Sequence, residues 1–149
     1  MTPNPAYVDA MRQLVHDSKY PQLLGMTLSV LELDGCRMDL ELDARHTHGF
    51  GVVHGGVFAA LIDSATWWSA YMRLPATAGL VNVDLKLNYL QTVSSGRLIA
   101  TGRCIRAGRT MSDTEAYVRA EDDRLIAHGT STLMTLPGKG ISVGVPKFL

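Results

Sequence analysis

Residues 52–71 read VVHGGVFAALIDSATWWSAY, and this stretch decides the architecture of the chain. It is almost wholly apolar or small and includes a His-Gly-Gly sequence near its start. A helix made of these residues carries apolar side chains on every face, which is typical of a helix buried all round. Its single acid, Asp63, follows His54 by nine residues. A carboxylate in such a helix costs free energy unless it is paired or has a function, so Asp63 requires an explanation.

The composition indicates one globular domain. A chain of 149 residues can bury a core of its own, so we predict a single domain over residues 1–149. Lys plus Arg equals Asp plus Glu at 14 each, so no overall charge favours binding to nucleic acid or to an anionic membrane. A local basic patch remains open, because four arginines lie close together in the sequence. They are Arg97, Arg103, Arg106 and Arg109.

Three features favour a cytoplasmic location. Cys36 and Cys104 lie in strand-like runs without metal-ligand spacing, which predicts buried free thiols in a reducing compartment. The N-terminal residues lack the basic start and apolar run of a secretory signal. Asp63 and the Gly-Gly pair weaken a membrane-spanning interpretation of the apolar stretch. We therefore expect a soluble protein with no membrane partner.

Signals before the central stretch predict a helix and a hairpin. An Asn-Pro pair is typical of a helix start, and apolar spacing continues that helix over residues 6–18 until Pro21 ends it. Strand-like runs follow at residues 26–33 and 37–42. The Asp-Gly pair at residues 34–35 is typical of a two-residue hairpin turn.

Four runs of strand length follow the central helix, which we place at about residues 54–72. In the first run apolar and polar residues alternate, which predicts Leu85 and Leu87 on one face and Asn82 on the other. The four predicted strands are residues 81–89, 97–105, 110–120 and 124–136.

This order of elements favours an α+β fold in which an antiparallel sheet wraps around one long central helix. One helix leaves a sheet face and the strand edges uncovered. These edges and the apolar C-terminal tail favour self-association.

Gly55 and Gly56 form a candidate binding site at the start of the central helix. Glycines let a ligand approach the backbone closely, and N–H groups of the first turn have no helical partner. The helix dipole adds partial positive charge, so the position suits a developing oxyanion. The alternative is that both glycines only allow tight packing of the helix against the sheet.

Asp63 lies roughly two turns beyond Gly55, so it does not reach the N-terminus of its own helix. If two chains pack their helices antiparallel, Asp63 of one chain can face Gly56 of the other. The alternative is a buried structural acid, satisfied by backbone donors or by an arginine such as Arg73 or Arg109.

Other residue patterns are less informative. His46, His48 and His54 match no standard ligand spacing, so we predict no metal site. The sequence contains no nucleophile elbow, phosphate loop or dinucleotide fingerprint. Trp67 and its neighbouring aromatic residues could line an acyl pocket or belong to the core or an interface.

Residues 51–65, GVVHGGVFAALIDSA, resemble the hotdog-fold acyl-CoA thioesterases of the phenylacetate-degradation type. Three further segments continue the resemblance in order: LVNVDLKLNYL at residues 80–90, AGRT at 107–110 and LIAHGTSTLM at 125–134. The resemblance implies a sheet wrapped around the central helix, dimers or tetramers with the active site at a subunit interface, and hydrolysis of an acyl-CoA thioester. It implies no cofactor beyond the CoA of the substrate.

The resemblance also implies roles for individual residues. Asp63 would be the general base or the nucleophile that attacks the thioester carbonyl. The backbone N–H of Gly56, or of its neighbour Gly55, would polarise that carbonyl. His54 would orient the loop or lie beside the sulfur, and Asn82 would help to hold the attacking water.

Three residues in and before the AGRT turn, together with one histidine, complete the site that the resemblance implies. Gly108 and Arg109, together with Arg106, would lie near the phosphates of the CoA nucleotide. Many relatives have an Asn six residues before the motif histidine, whereas this chain has His48. A histidine can also donate a hydrogen bond, but it is larger and titrates near neutrality, so substrate choice or pH dependence could differ.

Two other functions fit the same resemblance. One is a hotdog enoyl-CoA hydratase or dehydratase, although the Gly-Gly pair after His54 fits it less well. The other is a non-catalytic module that binds acyl-CoA. Neither the acyl group nor the choice between dimer and tetramer follows from the sequence.

Overall fold

The computed structural model describes residues 1–149 and consists of three α-helices and one seven-stranded sheet. The helices are α1 (Pro5–Asp17), α2 (Lys19–Leu24) and α3 (Gly55–Tyr71), with a short 3-10 helix at Ala44–His46. The strands are β1 (Met26–Leu31), β2 (Gly35–Glu41), β3 (Ala78–Asn82), β4 (Lys86–Tyr89), β5 (Arg97–Ala107), β6 (Met111–Ala120) and β7 (Leu125–Pro137). No helix is long and apolar enough to cross a membrane.

The sheet is antiparallel throughout and packs against α3, as the α+β prediction required. Its strands follow the order β1-β2-β5-β6-β7, and both β3 and β4 pair with β7 at the far edge. The predicted helix and hairpin near the N-terminus are confirmed as α1 and the β1–β2 pair. Both cysteines are free and buried, as predicted.

Helix α3 confirms the predicted central helix, but it is not buried on every face. Leu61, Ile62 and Ala65 are fully buried against the sheet. Gly56 and Asp63 are exposed, however, and Ala60 and Trp67 are half-buried. These four residues recur every three or four positions, so they form one stripe along the helix, which we call the open stripe. The prediction of burial all round was wrong because the sheet covers only one side of α3.

A kink divides the strand predicted over residues 81–89 into β3 and β4. At the kink the Asp84 carboxylate accepts a bond from the Thr132 N–H at 2.7 Å, and the Ser131 hydroxyl donates to the Asp84 carbonyl at 2.8 Å. Extra residues at a bulge shift the alternation of side chains between the two faces. Asn82 therefore contacts α3, on the same side as the core-facing Leu87, and its predicted placement on the opposite face was wrong.

The C-terminal tail packs on its own chain, at the end of α3. The buried Lys147 ammonium donates to the Tyr71 carbonyl at 2.6 Å and to the Leu74 carbonyl at 3.0 Å. These bonds satisfy carbonyls at the helix C-terminus, where a cation is favoured. The Tyr71 hydroxyl also contacts the Tyr7 hydroxyl of α1 at 2.7 Å, so α1, α3 and the tail form one unit.

Pro21 does not end the first helix, in contrast to the prediction. Helix α1 ends at Asp17, and Pro21 lies in the first turn of α2. Proline is tolerated there because N–H groups of a first turn lack helical partners. The end of α1 is instead set by the extended backbone of Ser18.

Gly102 of β5 sets the distance between α3 and the sheet. A Cβ atom at this position would lie 2.2 Å from the Ala65 carbonyl oxygen, which is backbone and cannot rotate away. The same carbonyl accepts a bond from the Cys36 thiol at 3.1 Å. The middle of α3 therefore rests directly on the backbone of β5, and this contact positions every residue of the open stripe.

Replacement of Gly102 by Ala is expected to lower the free energy of unfolding by about 3 kcal/mol, because α3 must move away from β5. Urea denaturation followed by circular dichroism measures the change. Gly49→Ala is the matched control, since no atom lies within 4 Å of the new Cβ. Equal stability of the two variants would contradict the proposed close contact.

Candidate active site

His54 caps the N-terminus of α3. Its Nδ1 atom accepts a hydrogen bond from the Gly56 N–H at 2.8 Å, and its carbonyl accepts from the Val57 N–H at 3.0 Å. The Gly55 N–H has no hydrogen-bond acceptor within the chain. The free donor of the first turn is therefore Gly55, and the Gly56 N–H becomes available only if His54 releases it.

The loop before α3 is an ordered structure. The His48 N–H donates to the Val52 carbonyl at 3.0 Å, and the His54 N–H donates to the His46 carbonyl at 2.9 Å. His46 is buried, and its Nδ1 atom accepts from the Asp43 N–H while Nε2 contacts the Leu24 carbonyl at 2.6 Å. Both ring nitrogens of His46 are thus occupied by backbone groups, and its role is structural.

A cleft of about 390 Å³ lies beside Gly55. His48, Gly55, Phe58 and Tyr89 are among its lining residues. His48 Nδ1 accepts a bond from the Phe50 N–H at 3.0 Å, so a neutral ring carries its proton on Nε2. His48 can therefore donate one hydrogen bond to a bound group, as an asparagine in this place would.

Tyr89 packs against Gly55. A Cβ atom on Gly55 would lie 3.1 Å from the Tyr89 ring, and Tyr89 also contacts Phe58 with 6.4 Å between ring centroids. The side of Tyr89 that faces away from Gly55 is open, since the residue is 59% exposed. Phe58 and Tyr89 were not predicted as site residues, because the sequence does not reveal which part of the edge strand meets the start of α3.

The Asp63 carboxylate makes no hydrogen bond or ion pair within the chain, and its residue is exposed. The two arginines considered as partners do not reach it: Arg73 pairs with Asp34, and Arg109 makes no ion pair. The structural alternative for Asp63 was therefore wrong. Partial desolvation among apolar neighbours raises the pKa of the Asp63 carboxyl above its usual value. Eight residues of helix separate Asp63 from Gly55 by about 12 Å, so one chain does not bring them together.

Asn82 lies beside the turn of α3 that carries Asp63. Its Nδ2 atom donates to the Ser131 hydroxyl at 2.9 Å and lies 3.4 Å from the Thr66 hydroxyl. The Thr66 hydroxyl in turn lies 3.0 Å from the Asp63 carbonyl. One turn further along α3, the Trp67 indole donates to the Leu80 carbonyl at 2.9 Å. Asp63 and Trp67 of the open stripe therefore form one cluster with Asn82 of β3, which lies beside the stripe.

Three of the four clustered arginines are paired with acids, so they do not form a continuous basic patch. Arg97 pairs with Glu41, Arg103 with Glu115 and Arg106 with Asp113. The exception is Arg109, which is exposed and free of acidic partners.

Arg109 borders a second cavity of about 450 Å³ at the C-terminal end of α3. Gly108, Leu74 and the hydroxyl-bearing residues Ser112 and Thr135 also line this cavity. The Thr135 hydroxyl is buried without a hydrogen-bond partner. Unpaired hydroxyl and guanidinium donors suit an anionic group such as a phosphate.

The chain is similar to proteins of one superfamily. A model of the thioesterase superfamily matches residues 50–127, just over half of the chain, from the loop before α3 into β7. Human acyl-coenzyme A thioesterase 13 is 24% identical over 129 residues, which are 83% of this chain and 90% of the human protein.

Two solved structures show the same fold over most of the chain. A thioesterase from Haemophilus influenzae has a TM-score of 0.82 and 26% identity, covering 91% of this chain and 94% of its own. A thioesterase family protein from Silicibacter pomeroyi has a TM-score of 0.81 and 26% identity, covering 89% and 99%.

Substitution Asp63→Asn is expected to raise the urea midpoint at neutral pH. The folded-state pKa of this carboxyl lies above its unfolded value, so the folded chain binds more protons there and stability falls as pH rises through that range. The difference should disappear below the ordinary Asp pKa of about 4, where both states are protonated. Glu32→Gln, at an exposed acid without a side-chain partner, is the control; a lower midpoint for Asp63→Asn than for this control would contradict the account.

Proposed function

The chain belongs to the thioesterase superfamily and has its hotdog fold, and from this premise we propose that it hydrolyses acyl-CoA thioesters at a site shared by two copies of the chain. The observation that carries the proposal is the pair of unsatisfied groups on α3. The Gly55 N–H has no acceptor, and the Asp63 carboxylate has no partner. The Gly55 N–H can donate to the oxygen of a thioester carbonyl, and the Asp63 carboxylate can promote attack on the carbon of that carbonyl.

Antiparallel packing of two α3 helices brings these groups together. In an antiparallel pair, Gly55 of one chain lies opposite Asp63 of the other when both are equally far from the point where the helices cross. That point is residue 59. Ala59 and Ala60 are small and half-buried there, so two helices can approach closely. The edge of the sheet supports the same arrangement, because Val81 of β3 and Val83, directly after β3, are 39% and 49% exposed. A dimer covers these surfaces, and a tetramer can be built from two dimers.

Hydrolysis then uses donors on one chain and the carboxylate of the other. The thioester oxygen accepts from the Gly55 N–H, supported by the helix dipole and, after release by His54, by the Gly56 N–H. His48 Nε2–H adds a donor from the wall of the cleft. Asp63 takes a proton from water as the water oxygen bonds to the carbonyl carbon, and collapse of the intermediate expels the CoA thiolate. As a nucleophile, Asp63 would instead form an anhydride that water hydrolyses.

The raised pKa of Asp63 favours this role. A partly desolvated carboxylate is a stronger base than one fully in water, and a pKa closer to the working pH improves proton transfer. Asn82, in the same cluster, helps to hold the water. Trp67 forms part of the wall beside Asp63.

The two cavities divide the substrate between them. The apolar cleft at Gly55, with Phe58 and Tyr89, suits the acyl group. Arg109 and Gly108 lie at the opposite end of α3, which this antiparallel packing places about 12 Å beyond the partner's Gly55 along the helix axis, so they suit the CoA phosphates. Arg106 is held by Asp113 and contributes less. The substrate carries its own CoA, and the proposed reaction requires no cofactor.

Asp63→Asn is expected to lower kcat for the best substrate at least about a hundredfold, since the base or nucleophile is lost while the helix surface is kept. Release of free CoA thiol from a panel of acyl-CoAs measures turnover. Circular dichroism and sedimentation verify an unchanged fold and assembly. Near-wild-type turnover would refute the role of Asp63.

The same panel separates the alternative functions in the wild type. Loss of enoyl absorbance without thiol release indicates a hydratase, and binding without either reaction indicates a binding module.

The role of the Gly55 N–H is tested by Gly55→Pro. Proline is favourable at the first position of a helix, and the extended backbone of His54 suits a following proline, so the fold should persist. Loss of the donor is expected to lower kcat about a hundredfold. Gly55→Ala is the matched control, because it meets the same Tyr89 ring but keeps the N–H. Equal losses in both variants would show that the contact with Tyr89 matters and the donor does not.

Mixing the two inactive variants tests whether the site is shared. When equal amounts of Asp63→Asn and Gly55→Pro chains are refolded together, about half of the dimers should be hybrids. Each hybrid has one intact site and one doubly altered site. The mixture should therefore recover about a quarter of wild-type activity. Each variant refolded alone is the control. No recovery in verified hybrids would place both groups of each site in one chain.

A further inference from the structure

The side-chain amide of Asn82 has one satisfied end and one free end. Its Nδ2 atom donates to the Ser131 hydroxyl at 2.9 Å and lies 3.4 Å from the Thr66 hydroxyl. Its Oδ1 atom has no donor within the chain. Asn82 is half-buried beside the open stripe, so a water molecule can reach the free end.

The two hydroxyls determine which end of the amide is free. The Ser131 hydroxyl already donates its proton to the Asp84 carbonyl at 2.8 Å, and the Thr66 hydroxyl donates to the Ile62 carbonyl at 2.7 Å. Each hydroxyl has one proton, so both can only accept from Asn82. A flipped amide would place Oδ1 against lone pairs and lose its hydrogen bonds. The network therefore holds Oδ1 away from the two hydroxyls.

Ser131 and Thr66 act at a distance from the substrate. Their exposed fractions are 3% and 0%, so neither contacts a group bound on the open stripe. Thr66 is three residues beyond Asp63 on α3, and Ser131 belongs to β7. The network thus ties the Asn82 amide to the helix turn that carries the proposed base.

We propose that Ser131, together with Thr66, is a positioning residue that presents Asn82 Oδ1 to the attacking water. The inference rests on the proposed thioester hydrolysis. The water has two protons. Asp63 removes one of them. The other proton forms a hydrogen bond to Asn82 Oδ1 and stays bonded to the water oxygen. A lone pair of that oxygen then points at the thioester carbon. A flipped amide would donate its N–H to the water and occupy the lone pair that must attack.

Ser131→Ala tests this role through the division between kcat and KM. Without the acceptor hydroxyl, the amide can rotate, and kcat for thiol release is expected to fall about tenfold with KM within twofold. Ser131→Thr keeps a hydroxyl and should restore most of kcat. Thr114→Val is the matched control, because it removes a buried hydroxyl that donates to the Ser131 carbonyl at 2.9 Å without contact to Asn82.

A double-mutant cycle separates the amide lock from effects on the kink at Asp84. In the Asn82→Ser background a hydroxyl replaces the amide and no orientation must be selected, so Ser131→Ala should cost little further kcat. Side-chain amide signals of Asn82 in NMR give a readout that does not depend on activity. In the wild type these protons should exchange slowly with water, and in Ser131→Ala they should exchange fast.

Three results would overturn the positioning role. They are an unchanged kcat in Ser131→Ala, an equal loss in Thr114→Val, and an undiminished effect of Ser131→Ala in the Asn82→Ser background. Failure of the wild type to release thiol from any acyl-CoA, with the slow amide exchange intact, would instead overturn the proposed function, and the catalytic part of this inference with it.

Discussion

The contact between α3 and the sheet at Gly102 is the constraint on which the rest of the structure depends. Because no side chain separates β5 from the Ala65 carbonyl, the helix lies deep in the curl of the sheet. The sheet still covers only one side of it. The opposite side, with Gly56, Asp63 and Trp67, stays open in the single chain. Every proposed functional group on α3 is positioned by this one close approach.

The local patterns of the sequence predicted the central helix, the hairpin and the succession of elements along the chain, because these depend on periodicity within short segments. Features that depend on pairing between distant segments were not predictable. Asn82 was placed on the wrong face because the kink at Asp84 requires the register with β7. The contact of Tyr89 with Gly55 and the bond from Asn82 to Ser131 have the same origin. The sequence thus indicated which residues are candidates for catalysis or binding, but not which of them are in contact in the fold.

The arginines show the same limit of prediction from sequence, because their partners lie on neighbouring strands. Arg97, Arg103, Arg106 and Arg109 lie close together in the sequence, and the resemblance pointed to Arg106 and Arg109. Neighbouring strands pair the first three with acids. The exposed pairs of Arg97 and Arg106 contribute little to stability, but they remove net charge from the surface. Arg109 lies in the turn after β5, where no partner strand faces it with an acid. Pairing in the sheet, rather than the density of arginines, thus selects the guanidinium that is free for a phosphate.

A rigid helix explains why the proposed activity would depend on assembly. The Gly55 N–H and the Asp63 carboxylate are separated by about 12 Å of α-helix, so no side-chain rotation in one chain brings both to one carbonyl. In the isolated chain the partial desolvation of the Asp63 carboxylate carries a cost, as its raised pKa indicates. Antiparallel packing of two chains would place the donor of one opposite the acid of the other. The same contact would also cover the apolar part of the open stripe. Assembly and catalysis would then draw on the same surface, and a change that improves the stability of the single chain at Asp63 would remove its reactivity.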